Sequence, residues 1–274
     1  MEENNLEYLK KTLDYLGFGT RLNEVLTSAV YRELTHFSLG INQSYIPSES
    51  QPGTEAKSDL AHFQLHFNRS AQSENYFLDR FVLTLQRYDN SPARIQEFSL
   101  ERHHRMSALQ AYKLLCGQSL QKEITVKSSS SQIAEKQQVW FKLDGSVRDE
   151  NGNRPLLRFY PGYGYDLEQT FLKYPFANLD AQQQSSAIKA LRFGNLIQLP
   201  IDHAGAIEQV FTRANPQHKV LDLFTLDMKP IYQTTNQIPQ ASSTPSQSSE
   251  HATKNFSESD QSQLEQAVQS RPKR

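Results

Sequence analysis

The sequence predicts an α+β fold built largely from antiparallel sheet, and three observations carry that expectation. Apolar residues near the amino end recur at three- and four-residue spacing; period-two runs follow; and two capped helices then precede another set of short strands. Helices and strands come in blocks rather than strict alternation, which argues against a parallel doubly wound sheet.

Leu6, Leu9, Leu13 and Leu16 fall on one helical face, and Gly17-Phe18-Gly19 breaks the pattern. Leu22, Val25, Leu26, Ala29 and Val30 give a second apolar face. The short turn between them implies a helical hairpin, since each stripe needs a partner. Phe37 to Ile41 reads as a strand, and 42–58, polar with two prolines, as a loop. From Asp59 to Asn68 the period is two, with Ala61, Phe63, Leu65 and Phe67 on one side and His62, Gln64 and His66 on the other. Phe81, Leu83 and Leu85 alternate in the next strand, Asp89-Asn90-Ser91-Pro92 is turn chemistry, and Ile95 to Leu100 forms another strand. Together these make a meander with one wet face. Ser107 with Gln110 is a capping box for a helix over 108–116, and Gly117 suits its C′ position.

Polar residues then suggest a linker over 118–138, dividing an N-terminal module (1–117) from a second small α+β module (139–232). The second module opens with a strand, Val139 to Leu143, and Asn151-Gly152 signals a hairpin of type I′. Asp166 with Gln169 and Asp180 with Gln183 cap two helices, ended by Pro175 and Gly194. The runs 196–201, 207–212 and 220–224 read as a three-stranded meander. Residues 233–274 are rich in Ser, Gln, Thr and Pro, a composition that predicts a disordered tail, with one faint helical pattern at Leu264, Ala267 and Val268.

Composition narrows the functional classes. A formal charge of −1 supplies no global field for nucleic acid or anionic membrane, although a local patch stays open. One cysteine, Cys116, rules out a disulfide within the chain and a Cys-based zinc ribbon. The polar start lacks a signal-peptide pattern and no apolar run reaches the ~20 residues of a membrane span, so a cytoplasmic location with no membrane contact is the expectation.

No catalytic constellation is recognisable. His62 and His66 lie about 13 Å apart along a strand, too far for one metal ion to bridge. Cys116 sits at a helix C-terminus, where the dipole raises a thiol pKa, and it reads as a small core residue. Asp149 and Glu150 are adjacent carboxylates that fall in a turn and diverge. No cofactor is implied. Arg102-His103-His104-Arg105 precedes a capped helix and, with Arg80, Arg87 and Arg94 nearby, outlines a candidate basic face for a nucleic acid or other anion. Phe159 to Asp166 holds Tyr160, Tyr163 and Tyr165 around two glycines; these rings serve either as a stacking platform for bases or a partner, or as packing between helix and sheet.

Tyr163 to Glu168, Tyr174-Pro175-Phe176, Leu191 to Asn195, Ala214 to Gln217 and Asp227-Met228 resemble a family of domains of unknown function from conjugative and other mobile elements of bacteria. Leu16 to Gly19 and Ala108 to Leu115 resemble segments found before that domain. The resemblance spans most of residues 5–232 and departs from the family pattern at Ser128 to Ser131 and His203 to Ile207. It implies an accessory role near DNA or conjugation machinery and carries no established activity. The leading expectation is a non-enzymatic binding or adaptor protein with a protein partner; direct nucleic-acid binding and an enzyme of unfamiliar type are the alternatives.

Overall fold

The computed structural model describes residues 3–50, 57–100, 105–127, 134–203 and 205–231. The chain divides into a compact unit over 1–232 and a second over 233–274, the latter outside the described residues together with the expected tail and its helical pattern. The described residues form an α+β fold of five α-helices and three antiparallel sheets. No helix among them is long and apolar enough to cross a membrane.

The helical hairpin is α1 (Glu3–Tyr15) and α2 (Asn23–Tyr31). Leu6, Leu9, Leu13 and Leu16 are buried as their spacing requires, and Leu26 and Val30 point into the same core. Val25, assigned to the apolar face from its spacing, is instead 52% exposed. The linking turn drops Phe18 edge-on against Phe63 and Phe81, at 5.3 and 5.6 Å between ring centroids.

Under these helices lies a four-stranded meander of β1 (His36–Tyr45), β2 (Asp59–Arg69), β3 (Tyr76–Gln86) and β4 (Arg94–Ser99), in that order. The inward parity of β2, Ala61, Phe63, Leu65 and Phe67, is wholly buried, while His62 on the other face is exposed. Helix α3 (Ala108–Leu115) packs on the same side as α1, and its capping box closes through Ser107 and Gln110.

Most of the expected linker over 118–138 is strand, with 128–133 lying outside the described residues. Ser119–Lys127 is strand β5, paired along its length with β6 (Ala134–Leu143), and β6 continues into β7 (Leu156–Phe159). Polar composition concealed β5 because Lys122 interrupts the apolar parity of Leu120, Ile124 and Val126; its stem lies along the core while its ammonium reaches the Arg105 carbonyl. The Asn151-Gly152 pair does not close a two-residue hairpin either. Of the two, only Gly152 takes positive φ, 81°, and a longer loop is organised by Asp149, whose Oδ1 accepts the Asn151 and Asn153 N–H groups at 2.9 and 2.8 Å.

Beyond β7 come a 3₁₀ turn (Pro161–Tyr163), α4 (Leu167–Phe171), α5 (Ala181–Arg192) and a second meander of β8 (Ile197–His203), β9 (Ala206–Asn215) and β10 (Val220–Phe224). Asp166 and Asp180 cap their helices as the spacing predicts. Two apolar clusters result. Leu120, Ile124, Val139, Phe141 and Leu143 from one face of the β5–β7 sheet join the N-terminal cluster, and Trp140 from the other face joins Leu167, Phe171 and Leu191. A strand buried on both faces loses its alternation, which is why Val139-Trp140-Phe141 is continuously apolar.

Candidate functional site

The four-stranded sheet has its helices on one face only, and its second face carries three ladders of mostly polar side chains. Across the register these are Asn42, His62, Thr84 and Ile95; Gly40, Gln64, Val82 and Glu97; and Ser38, His66, Arg80 and Ser99. Neighbouring strands tie them together. His62 Nδ1 meets Asn42 Oδ1 at 2.7 Å, Gln64 donates to Ser38 Oγ at 3.2 Å, and Arg80 pairs with Glu97 at 3.2 Å. Partial burial and then the nearby Arg80 guanidinium hold the His66 pKa below its ordinary value. Such cross-strand pairs fix a wet, polar surface.

The two edges of this sheet differ. On β4, the loop between β6 and β7 lies against the edge: Asn153 Oδ1 accepts the Glu97 N–H at 2.8 Å, and the Gln96 side chain exchanges bonds with the Arg154 N–H and carbonyl at 2.9 and 3.2 Å. On β1, the Arg69 N–H donates to the Thr35 carbonyl at 2.8 Å, which directs the odd-numbered positions toward β2. The N–H and carbonyl groups of His36, Ser38, Gly40, Asn42 and Ser44 therefore face away from the sheet. Among the described residues, one of these is engaged: the Asn42 carbonyl accepts a bond from Arg21 Nη2 at 3.1 Å. The edge is ten residues long, pairs with β2 without a bulge, and contains neither proline nor lysine. Those are the usual devices that blunt an edge.

The residues singled out from the sequence do not gather into one surface. Arg80 stands on the open face with Glu97. Arg87 turns inward, its side chain 11% exposed, and binds Asp59 at 3.0 Å and Glu49. Arg94 donates to the Leu115 carbonyl at 3.2 Å, and Arg105 to the Tyr8 hydroxyl at 3.2 Å. Arg102, His103 and His104 lie outside the described residues. The tyrosines separate as well. Tyr165 is half-buried, edge-on against Trp140 at 5.3 Å; Tyr163 carries Lys219 Nζ 4.5 Å above its ring and donates to the Gln217 carbonyl; Tyr160 is 42% exposed. Tyr165 is thus a packing residue, and the three rings do not form a single stack.

A buried polar cluster escaped the sequence reading. Asp59, fully buried at the start of β2, accepts the Arg87 guanidinium, the Tyr112 hydroxyl at 2.9 Å and the Tyr88 N–H at 3.0 Å. Arg87 Nη1 also lies 3.4 Å from Cys116 Sγ. Burial, then the neighbouring groups, pushes the Tyr112 pKa up, and burial raises that of the Cys116 thiol against the pull of Arg87. A raised thiol pKa means little thiolate, and the carboxylate, guanidinium and phenol tie the start of β2 to the end of β3 and to α3. The available signal was parity: Asp59 shares the inward face of Ala61 and Phe63. Among the described residues no group of His, Cys, Asp or Glu is arranged to hold a metal ion.

No family model, curated protein or solved structure matches the chain.

Proposed function

We propose that this is a non-enzymatic binding or adaptor protein that captures an extended segment of a protein partner as an added strand alongside β1. The asymmetry of the sheet edges carries the reading. The β4 edge is closed by Asn153 and the Arg154 backbone, whereas β1 offers an unbroken row of backbone donors and acceptors, with only the Asn42 carbonyl engaged among the described residues, beside an open polar face. Strand addition draws affinity from main-chain hydrogen bonds and specificity from the adjoining side chains, here Ser38, Asn42, His62 and Gln64. An accessory role beside bacterial mobile elements rests on the motif resemblance alone.

Ser38→Pro tests the proposal. The Ser38 N–H points off the edge, so proline there removes a docking donor while leaving the β1–β2 ladder intact. Affinity purification from nuclease-treated extract should lose the partners retained by wild type and by Ser38→Ala, with the circular dichroism spectrum unchanged. Capture that survives Ser38→Pro would overturn this route, and capture abolished by nuclease alone would point to nucleic acid instead.

A further inference from the structure

The open edge at β1 is complementary to its own image. From Leu34 to Ile46 the chain holds no aspartate, glutamate, lysine or arginine. Like charges set opposite one another oppose strand pairing, and charged side chains are a common guard on natural edges. Here no such guard acts between two copies, and the edge has no charge by which to select a different partner.

The register is symmetric as well. Leu34 and Ile46 lie just outside the two ends of β1, each six residues from Gly40, and they are 43% and 66% exposed. Single exposed apolar residues are ordinary, but the placement of these two matters. The even-numbered residues of β1 direct their N–H and carbonyl groups off the sheet, so an antiparallel neighbour must set its own outward residues against them. A pairing of two β1 strands centred on Gly40 does so along the whole edge. Gly40 meets Gly40, Ser38 meets Asn42, His36 meets Ser44, and beyond the strand ends Leu34 meets Ile46. Moving the centre to Leu39 or Ile41 shortens the ladder and sets Leu34 against Ser44 or Ser48 instead.

Resting on strand addition at β1, we propose that the added strand is β1 of a second copy of this chain, antiparallel about a two-fold axis at Gly40. Gly40 presents no side chain to its image, and the His62 ring fills that space, its Cε1 3.2 Å from where a Gly40 Cβ would stand. The Asn42 carbonyl, which accepts from Arg21, keeps a second lone pair for the incoming Ser38 N–H. The two four-stranded sheets become one continuous sheet, and each copy closes the other's open edge. Any other extended segment must then displace the second copy to reach β1.

Sedimentation velocity of the full chain, from low micromolar to several hundred micromolar, should show a concentration-dependent passage from monomer to dimer. Ser38→Pro should weaken that association by at least about tenfold, because symmetry removes two donors at once, while Ser38→Ala should not. Charge tests the register at low ionic strength. Ser38→Lys with Asn42→Lys sets like charges opposite one another and should leave a monomer. Ser38→Lys with Asn42→Glu sets opposite charges in the same places and should keep the dimer. Both positions are exposed, so the circular dichroism spectrum of each variant should match wild type. Equal association of the two double variants, or a dimer that persists in Ser38→Pro, would overturn the self-pairing. So would a monomer at every concentration; if Ser38→Pro still loses other captured proteins in that case, strand addition at β1 stands with a different partner.

Discussion

Asp59 shares the inward parity of Ala61, Phe63 and Leu65, so its carboxylate enters the core with them and must find a cation there. Arg87 supplies it from the end of β3, and Tyr112 and the Tyr88 N–H complete the shell. Burial opposes the Arg87 charge, but the Glu49 bond and the surrounding negative groups outweigh it and raise the guanidinium pKa. Replacing such a pair by apolar residues is often neutral, whereas removing one member strands the other. Asp59→Ala should therefore cost about 3–5 kcal/mol in urea denaturation, well above the ~1 kcal/mol of an ordinary hydrogen bond. A loss under about 1 kcal/mol would mean that Glu49 alone neutralises Arg87. At this scale the sequence disclosed the apolar faces but not the ion pair. Parity placed Asp59 inside, and nothing in a period-two pattern names a partner 28 positions away, so Arg87 read as part of a surface patch.

At the scale of elements, what was legible followed local chemistry. The caps at Ser107, Asp166 and Asp180 depend on residues three apart, and all three formed where their spacing placed them. Strand β5 depends on distant partners: its parity is broken by Lys122, and only the β6 register and the α3 end make that position tolerable. The same tertiary dependence acts where α5 stops. Gly194 has φ of 70°, and a Cβ there would lie 3.0 Å from both the Ser119 carbonyl oxygen and Leu120 Cβ. Gly19 has a similar φ, 68°, with nothing within 4 Å of the equivalent atom. Alanine at Gly19 should thus cost about 1 kcal/mol, the left-handed backbone alone. Alanine at Gly194 should cost roughly 1–3 kcal/mol more, the usual scale of overpacking, because β5 must also give way. Equal melting shifts for the two variants would show that β5 yields freely and that the helix end is not seated on it.

Across the whole molecule, the β5–β7 sheet serves both apolar clusters, and this decides whether the chain can be divided where its composition suggested. Cutting after residue 117 and before 139 removes β5 from β6. An N-terminal fragment 1–117 loses Leu120, Ile124, Val139, Phe141 and Leu143 from its core; a fragment 139–232 keeps three of these but turns them toward water. At about 1.5–3 kcal/mol for each fully buried large apolar side chain, five such losses total roughly 7–15 kcal/mol. That equals the entire stability of an ordinary domain, about 5–15 kcal/mol. The composition shift at 118–138 falls on the paired strands β5 and β6, and a pair that sends Leu120, Ile124, Val139 and Phe141 into the N-terminal cluster is a layer of the core rather than a tether. Residues 1–232 should therefore melt in one calorimetric transition, and neither fragment alone should give near-ultraviolet dichroism or a cooperative urea transition. Mixing or co-expressing fragments 1–127 and 134–232, which retain both β5 and β6, should restore both signals. A cooperative, independently folded 139–232 would instead show that Trp140, Phe171 and Leu191 suffice as a core, and that the N-terminal cluster only borrows the face it covers.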